Sequence, residues 1–210
     1  MSLNKDGVIV ILSSPSGAGK TTLVKKISSL IDFTISISYT TRIPRINEVN
    51  GKDYYFINRD QFNDLVTKDE FLEYAKVFDN YYGSSKKKVF DLLKKGQNVI
   101  FDIDWQGAKQ IKDKNLNFKL ITFFILPPSK KTLKSRLAER ENNNKSIIDE
   151  RMEKFNDDIK HWVDYDYVVI NDDLEICLNN IVEIIRLNNK NEKVDFDKKK
   201  IQQHIKFLLK

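Results

Sequence analysis

The sequence is poor in the residues that build covalently stapled scaffolds. It holds one cysteine among 210 residues, so neither a disulfide nor a cysteine-based metal site is expected. Cys177 falls in the apolar helical pattern Leu174, Ile176, Cys177, Leu178, Ile181, which is the setting of a small buried hydrophobe rather than of a nucleophile. Long apolar runs are also missing. The first, Val8 to Leu12, leads straight into a Ser/Pro/Gly turn and is too short for a signal-peptide core, and no other approaches the roughly 20 residues of a spanning helix. A cytoplasmic protein without membrane association is the expectation. Internal repeats of roughly 20 to 50 residues are absent, as is any helix or finger motif for reading nucleic acid.

What is present suits a globular domain that handles anions. Apolar residues make up 40% of the chain, enough to build the core of one domain with or without inserted subdomains. Charged residues make up 31% and the formal net charge is +6, which suits nucleotides, nucleic acid or lipid headgroups without choosing among them.

The hydrophobic pattern alternates between two periods. Val8–Leu12, Asn98–Asp104, Lys119–Leu126 and Tyr167–Ile170 are apolar runs of strand length, the third stopped by Pro127-Pro128. Between them lie helical spacings: Leu23, Ile27 and Leu30; Val89, Leu92 and Leu93 closing at Gly96; Leu133 and Leu137 after Ser129, a candidate N-cap; and Ile147, Ile148, Met152 and Phe155. Apolar strands alternating with helices predict a parallel sheet covered on both faces. Residues 35–82 break the rhythm with aromatic-rich strand candidates, including Asp53–Ile57 and Phe71–Phe78, and turns at Asn50-Gly51 and Asp79-Asn80. They predict an inserted mixed α/β subdomain. Glu141–Lys145 has the composition of a mobile loop tip, and Ile201, Ile205 and Leu208 predict a short amphipathic helix in a lysine-rich tail.

Ser14-Pro15-Ser16-Gly17-Ala18-Gly19-Lys20-Thr21, followed by Thr22, nearly matches the phosphate-loop pattern G-x-x-x-x-G-K-[ST], between the strand and helix that the pattern requires. Loop amides and the positive helix end would cradle the β-phosphate of ATP, Lys20 would bridge β and γ oxygens, and the Thr21 hydroxyl would ligate Mg²⁺. Ser14 stands where glycine is usual. Because Pro15 follows, its backbone is driven to extended angles with negative φ, which a small side chain tolerates. Asp102, at the carboxyl end of an apolar strand, is placed to hold the metal through water. Asp104, two residues on, would face the same side of that strand.

Ser38-Tyr-Thr-Thr-Arg-Ile-Pro-Arg-Ile-Asn-Glu-Val-Asn-Gly-Lys-Asp-Tyr54 resembles the GMP-binding segment of guanylate kinases. Phe71-Leu-Glu-Tyr-Ala75, Asn80-Tyr-Tyr-Gly-Ser84, Asp102-Ile-Asp-Trp-Gln-Gly107 and Val169-Ile-Asn-Asp-Asp173 are similar to that family's motifs, in its order and spacing, over residues 7 to 187. The resemblance implies that Arg42, Arg45, Tyr54 and Tyr82 hold the GMP phosphate while Glu48 orients the arginines. Forked guanidiniums match a dianionic phosphate, and phenol hydroxyls donate without adding charge. For guanine it implies Glu73, Ser38, Ser84 and one strand aspartate, Asp104 in preference to Asp102. Adenine has a bare ring nitrogen where guanine has an imino hydrogen, so the Glu73 carboxylate would reject it.

Arg136 and Arg140 share a helix face, with Arg151 starting the next helical stretch. In the family these positions form a lid over ATP, and Asn171 and Asp172 fall where it contacts adenine. Lid and acceptor subdomain are expected to close when both substrates bind. The implied fold is a three-layer αβα core of the P-loop class with a parallel sheet (approximately 1–34, 84–128 and 164–187), a GMP-binding subdomain (35–83), a helical lid (129–163) and a basic C-terminal helix (188–210), all in one guanylate-kinase-like domain. The implied substrates are ATP and GMP, with neither specific nucleic acid nor membrane as partner. Two other readings stay open at this point: a monophosphate kinase of different base preference, and a non-catalytic interaction module on the same fold.

Overall fold

The computed structural model describes residues 6–192, 194 and 197–210. Residues 1–5, at the start of the expected core, and Lys193, Asp195 and Phe196 of the basic tail lie outside the described residues. The chain carries a five-stranded parallel sheet in the order β2-β7-β1-β8-β9 and a four-stranded sheet in the order β4-β3-β6-β5, with eight α-helices among the described residues. This is the expected α/β class with an inserted mixed element. The chain divides into two compact units, one built from residues up to Ile11 with Asp32–Leu120, the other from Leu12–Ile31 with Ile121–Lys210.

In the first unit, β2 (Phe33–Ile35) runs parallel to β7 (Asn98–Asp102), with Phe33 opposite Asn98. Asn98 locks this edge, since its Oδ1 accepts from Val8 N at 3.0 Å and its Nδ2 donates to the Asp32 carbonyl at 2.9 Å. The apolar run 98–104 yields a shorter strand than the sequence predicts. It stops at Asp102, because Asp104 turns out to cap α4 (Trp105–Asp113), accepting from Gly107 N at 3.0 Å.

The second sheet contains β3 (Tyr39–Thr40), β4 (Tyr55–Phe56), β5 (Phe71–Val77) and β6 (Asn80–Ser85). The β5–β6 hairpin turns at Phe78, whose φ of 55° ends the strand one residue early. Its register slips between Phe71 and Glu73, so that Phe71, Leu72 and Glu73 are all buried and Glu73 lies opposite Ser84. The 53–57 candidate shrinks to β4 because Gly51 N bonds the Tyr54 carbonyl and closes a turn. Against this sheet packs α2 (Arg59–Thr67), started by a capping box of Asn58 and Gln61. Phe62, fully buried, stacks 4.6 Å from Phe71 and 5.4 Å from Tyr81. α3 (Lys86–Leu93) follows, capped by Ser85.

The second unit holds α1 (Lys20–Leu30), β8 (Leu120–Leu126) and β9 (Tyr167–Ile170), the last two parallel; β1 (Ile9–Ser13) precedes α1 and is buried throughout. Asp166 fixes the start of β9, accepting from both the amide and the hydroxyl of Thr122 at 2.8 Å. Ser129 caps α5 (Lys130–Arg140) as predicted. The Asn-rich segment forms a turn in which Asn142 and Asn143 take φ of 50° and 57°, and Asn144 caps α6 (Lys145–Asp158). Consequently Arg151 lies within α6 instead of opening it.

A 3-10 helix (Ile159–Asp164) leads to β9, and α7 (Leu174–Asn189) and α8 (Lys198–Leu208) complete the unit. Ile201, Ile205 and Leu208 are buried, and the His204 ring donates to the Pro127 carbonyl at 2.9 Å. Two apolar residues leave the stripes assigned to them: Leu30 is 58% and Ile176 63% exposed. No helix among the described residues is long and apolar enough to cross a membrane.

Phe62→Ala removes the ring around which the second sheet packs. It should cost about 3–5 kcal/mol in chemical unfolding, and a loss below ~1 kcal/mol would show that this aromatic cluster contributes little.

Candidate active site

The phosphate-loop candidate lies in the second unit, between β1 and α1. Gly17 and Gly19 take φ of 90° and 95°, a region closed to most side chains. Space also forbids a side chain at Gly19, where a Cβ would meet Asn171 Nδ2 at 2.3 Å. Ser14 is absent from the positive-φ residues, in line with the proline after it, and its hydroxyl donates to the Pro15 carbonyl at 2.9 Å. Serine here is therefore unstrained. Gly19 caps α1 without a side chain, and no acidic residue occupies the first turn, a setting at the positive end of the helix that favours an anion. Lys20 is half-buried, while Thr21 and Thr22 are exposed.

Two arginines, one from α5 and one from α6, bond this loop directly. Arg140 Nη2 and Arg151 Nη1 both donate to Ser16 Oγ, at 2.9 and 2.6 Å. Glu141 pairs with both guanidiniums, at 2.8 and 3.6 Å, and its side chain is only 9% exposed. The sequence composition hid Glu141 inside an apparent loop. Arg136 forks onto the Asn171 carbonyl at 3.3 and 3.2 Å. Asn171 is buried, its amide group donating to the Ala18 carbonyl at 2.8 Å. It therefore braces the loop from beneath, a contact that the sequence did not foretell, while Asp172 beside it is exposed. Burial pushes the Cys177 thiol up to about 12, so it stays a neutral core group.

The acceptor candidates lie in the first unit. Glu48 gathers both arginines: Oε1 accepts from Arg42 Nη2 at 2.8 Å and Arg45 Nη1 at 3.3 Å, and Oε2 from Arg45 N at 2.8 Å. Burial works against both charges, yet the hydrogen bonds win, so that Glu48 is held below its ordinary value and Arg42 above its own. Arg42 stacks 5.4 Å from the Tyr54 ring, which meets Tyr82 edge-on at 5.9 Å. Burial, followed by the charge of Asp102, raises the Tyr54 phenol far above its ordinary value. Its hydroxyl is thus a donor at any physiological pH.

Glu73, 3% exposed, accepts from Ser84 Oγ at 2.6 Å. That bond uses the single hydroxyl proton of Ser84, so in the 3.4 Å contact of Ser38 with Ser84 it is Ser38 that donates. Asp104 accepts from Gly107 N and from Gln106 Nε2 at 2.9 Å, leaving each oxygen a second lone pair. Asp102 is half-buried at the end of β7. No cluster of three or more histidine, cysteine or acidic residues among the described residues is arranged to hold a metal by itself.

Both sets of groups bear on comparisons with known proteins. The guanylate kinase family profile matches residues 7–188. The chain belongs to the guanylate kinase family. It is 48% identical to a guanylate kinase of Buchnera aphidicola subsp. Acyrthosiphon pisum over 183 residues, covering 86% of this chain and 87% of that one. It is 49% identical to a guanylate kinase of Rickettsia prowazekii over 186 residues, covering 88% and 93%. The crystal structure of guanylate kinase from Anaplasma phagocytophilum matches with a TM-score of 0.72 at 34% identity, covering 88% of this chain and 87% of that chain. Membership makes the chain a nucleotide-binding kinase, with ATP as the donor.

Within this family member, Gly19→Ala should all but abolish binding of a fluorescent ATP analogue, through left-handed strain and the collision with Asn171. Ser14→Gly should leave the affinity within about 2-fold, since the backbone there makes no demand for glycine. A reversal of the two effects would show that the loop geometry is misassigned.

Proposed function

We propose that this chain is an ATP:GMP phosphotransferase, moving the γ-phosphoryl of ATP to GMP to give ADP and GDP in cytoplasmic purine nucleotide metabolism. The observation that carries the reading is Glu73, a carboxylate buried beside Ser84 and Ser38 in the same unit as an arginine pair oriented by Glu48. Guanine presents an imino hydrogen and an exocyclic amine side by side, and a carboxylate accepts both. Asp104 is assigned to the same base, and Arg42, Arg45, Tyr54 and Tyr82 to the phosphate of GMP.

On the donor side, residues Ser14–Thr22 are assigned to the ATP phosphates, with Lys20 spanning β and γ oxygens, and Asn171 and Asp172 to the neighbourhood of adenine. Arg136, Arg140 and Arg151 are assigned to the charge that spreads over the moving phosphoryl group. Phosphoryl transfer depends on alignment and charge stabilisation more than on covalent participation. The attacking group is a phosphate oxygen already anionic, so no general base is needed. The hydroxyl of Thr21 and the carboxylate of Asp102, the latter through water, are oxygen donors of the kind magnesium takes, and the ion, when bound, would neutralise charge on the phosphates.

A non-catalytic module on the same fold would not need Lys20, Thr21 and the three arginines together, and Glu73 weighs against another base preference. Lys20→Ala should lower kcat on the order of 10²-fold or more with the unfolding midpoint unchanged, and near-normal turnover would remove the loop from the mechanism. Glu73→Gln should raise KM for GMP roughly 10- to 100-fold while KM for ATP stays within about 2-fold. Equal losses for both substrates, in a coupled ADP-release assay run with GMP, AMP, CMP and UMP, would contradict the assignment of Glu73 to guanine.

A further inference from the structure

Glycine within a helix weakens it, because its unfolded state has more conformations to lose than that of alanine. Gly107 occupies the first turn of α4 with a φ outside the left-handed region, so the backbone gives no reason for glycine there. Space gives one. A Cβ on Gly107 would stand 2.3 Å from Glu73 Oε2 and 3.0 Å from its Cδ, well inside van der Waals contact.

Retreat is blocked on several sides. Ser84 Oγ holds the other oxygen of Glu73 at 2.6 Å. The edge of β5 is laced to α4 by the glutamines that flank Gly107: Gln110 exchanges two hydrogen bonds with the backbone of Tyr74, at 3.1 and 2.7 Å, and Gln106 Nε2 donates to the Lys76 carbonyl at 3.3 Å. Moving α4 away to admit a methyl group would break these bonds.

We propose that Gly107 is a positioning residue for acceptor recognition, its missing side chain setting where the Glu73 carboxylate stands. The inference rests on the assignment of Glu73 to guanine. Through its amide, Gly107 also holds Asp104 at 3.0 Å, so one residue places both carboxylates assigned to the base. Alanine keeps that amide and improves the helix, and its expected damage is confined to Glu73.

Steady-state kinetics of the full chain carrying Gly107→Ala, with each substrate varied in turn, tests this. KM for GMP should rise roughly 10- to 100-fold, with KM for ATP within about 2-fold and the thermal midpoint close to that of the unaltered chain. Adding Glu73→Asp, whose carboxylate is one methylene shorter, should recover part of the lost GMP affinity. An unchanged KM for GMP in Gly107→Ala beside a raised one in Glu73→Gln would overturn the role of Gly107 and leave Glu73 in place. No effect of Glu73→Gln would overturn both. Should Gly107→Ala fail to fold, the same change made in Glu73→Ala must restore folding, because the obstructing carboxylate is then gone; continued failure contradicts the proposal.

Discussion

A carboxylate taken out of water must be met by hydrogen bonds, or the chain will not keep it buried. At Glu73 that requirement organises much of the first unit. The register slip in β5 turns Glu73 inward and sets it opposite Ser84, the Ser84 hydroxyl satisfies one oxygen, and α4 approaches the other through a residue without a side chain. The two glutamines of α4 then tie the edge strand in place. The slipped register and the helical glycine are costly for folding alone, and the hydrogen bonds offset them. Together they make a rigid acceptor, which is what discrimination between purines demands.

The second unit solves the opposite problem, that of crowded positive charge. Arg140 and Arg151 share Ser16 and Glu141, while Arg136 grips the carbonyl of Asn171, whose amide in turn supports Ala18. Loop and arginines are therefore linked through the Ser16 hydroxyl, the Asn171 carbonyl and the Glu141 carboxylate. On the proposed assignment, these contacts orient the guanidiniums toward the charge that develops during phosphoryl transfer.

Local signals were the legible ones. The strand Tyr167–Ile170 and the Ser129 cap depend on nearby residues, and the structure keeps them. Ser14 could be excused from the glycine rule because Pro15 settles its backbone. The illegible features depend on pairings that no hydrophobic period marks. Asp104 reads as strand until the approach of Gly107 N makes it a cap, and strands as short as β3 and β4 exist only through pairing. Glu141 reads as loop until two arginines draw it inward. Gly107 is the sharpest case, since a helical glycine looks like a weakness until the carboxylate beside it is known. The acceptor roles came from resemblance to a family, and side-chain chemistry made them sensible without locating them.

The most direct measurement is a crystal structure of the chain with GMP bound. The account predicts the imino and amino edge of guanine on the Glu73 carboxylate and the phosphate between Arg42 and Arg45. GMP lodged elsewhere, or turned so that Glu73 faces its ribose, would contradict it.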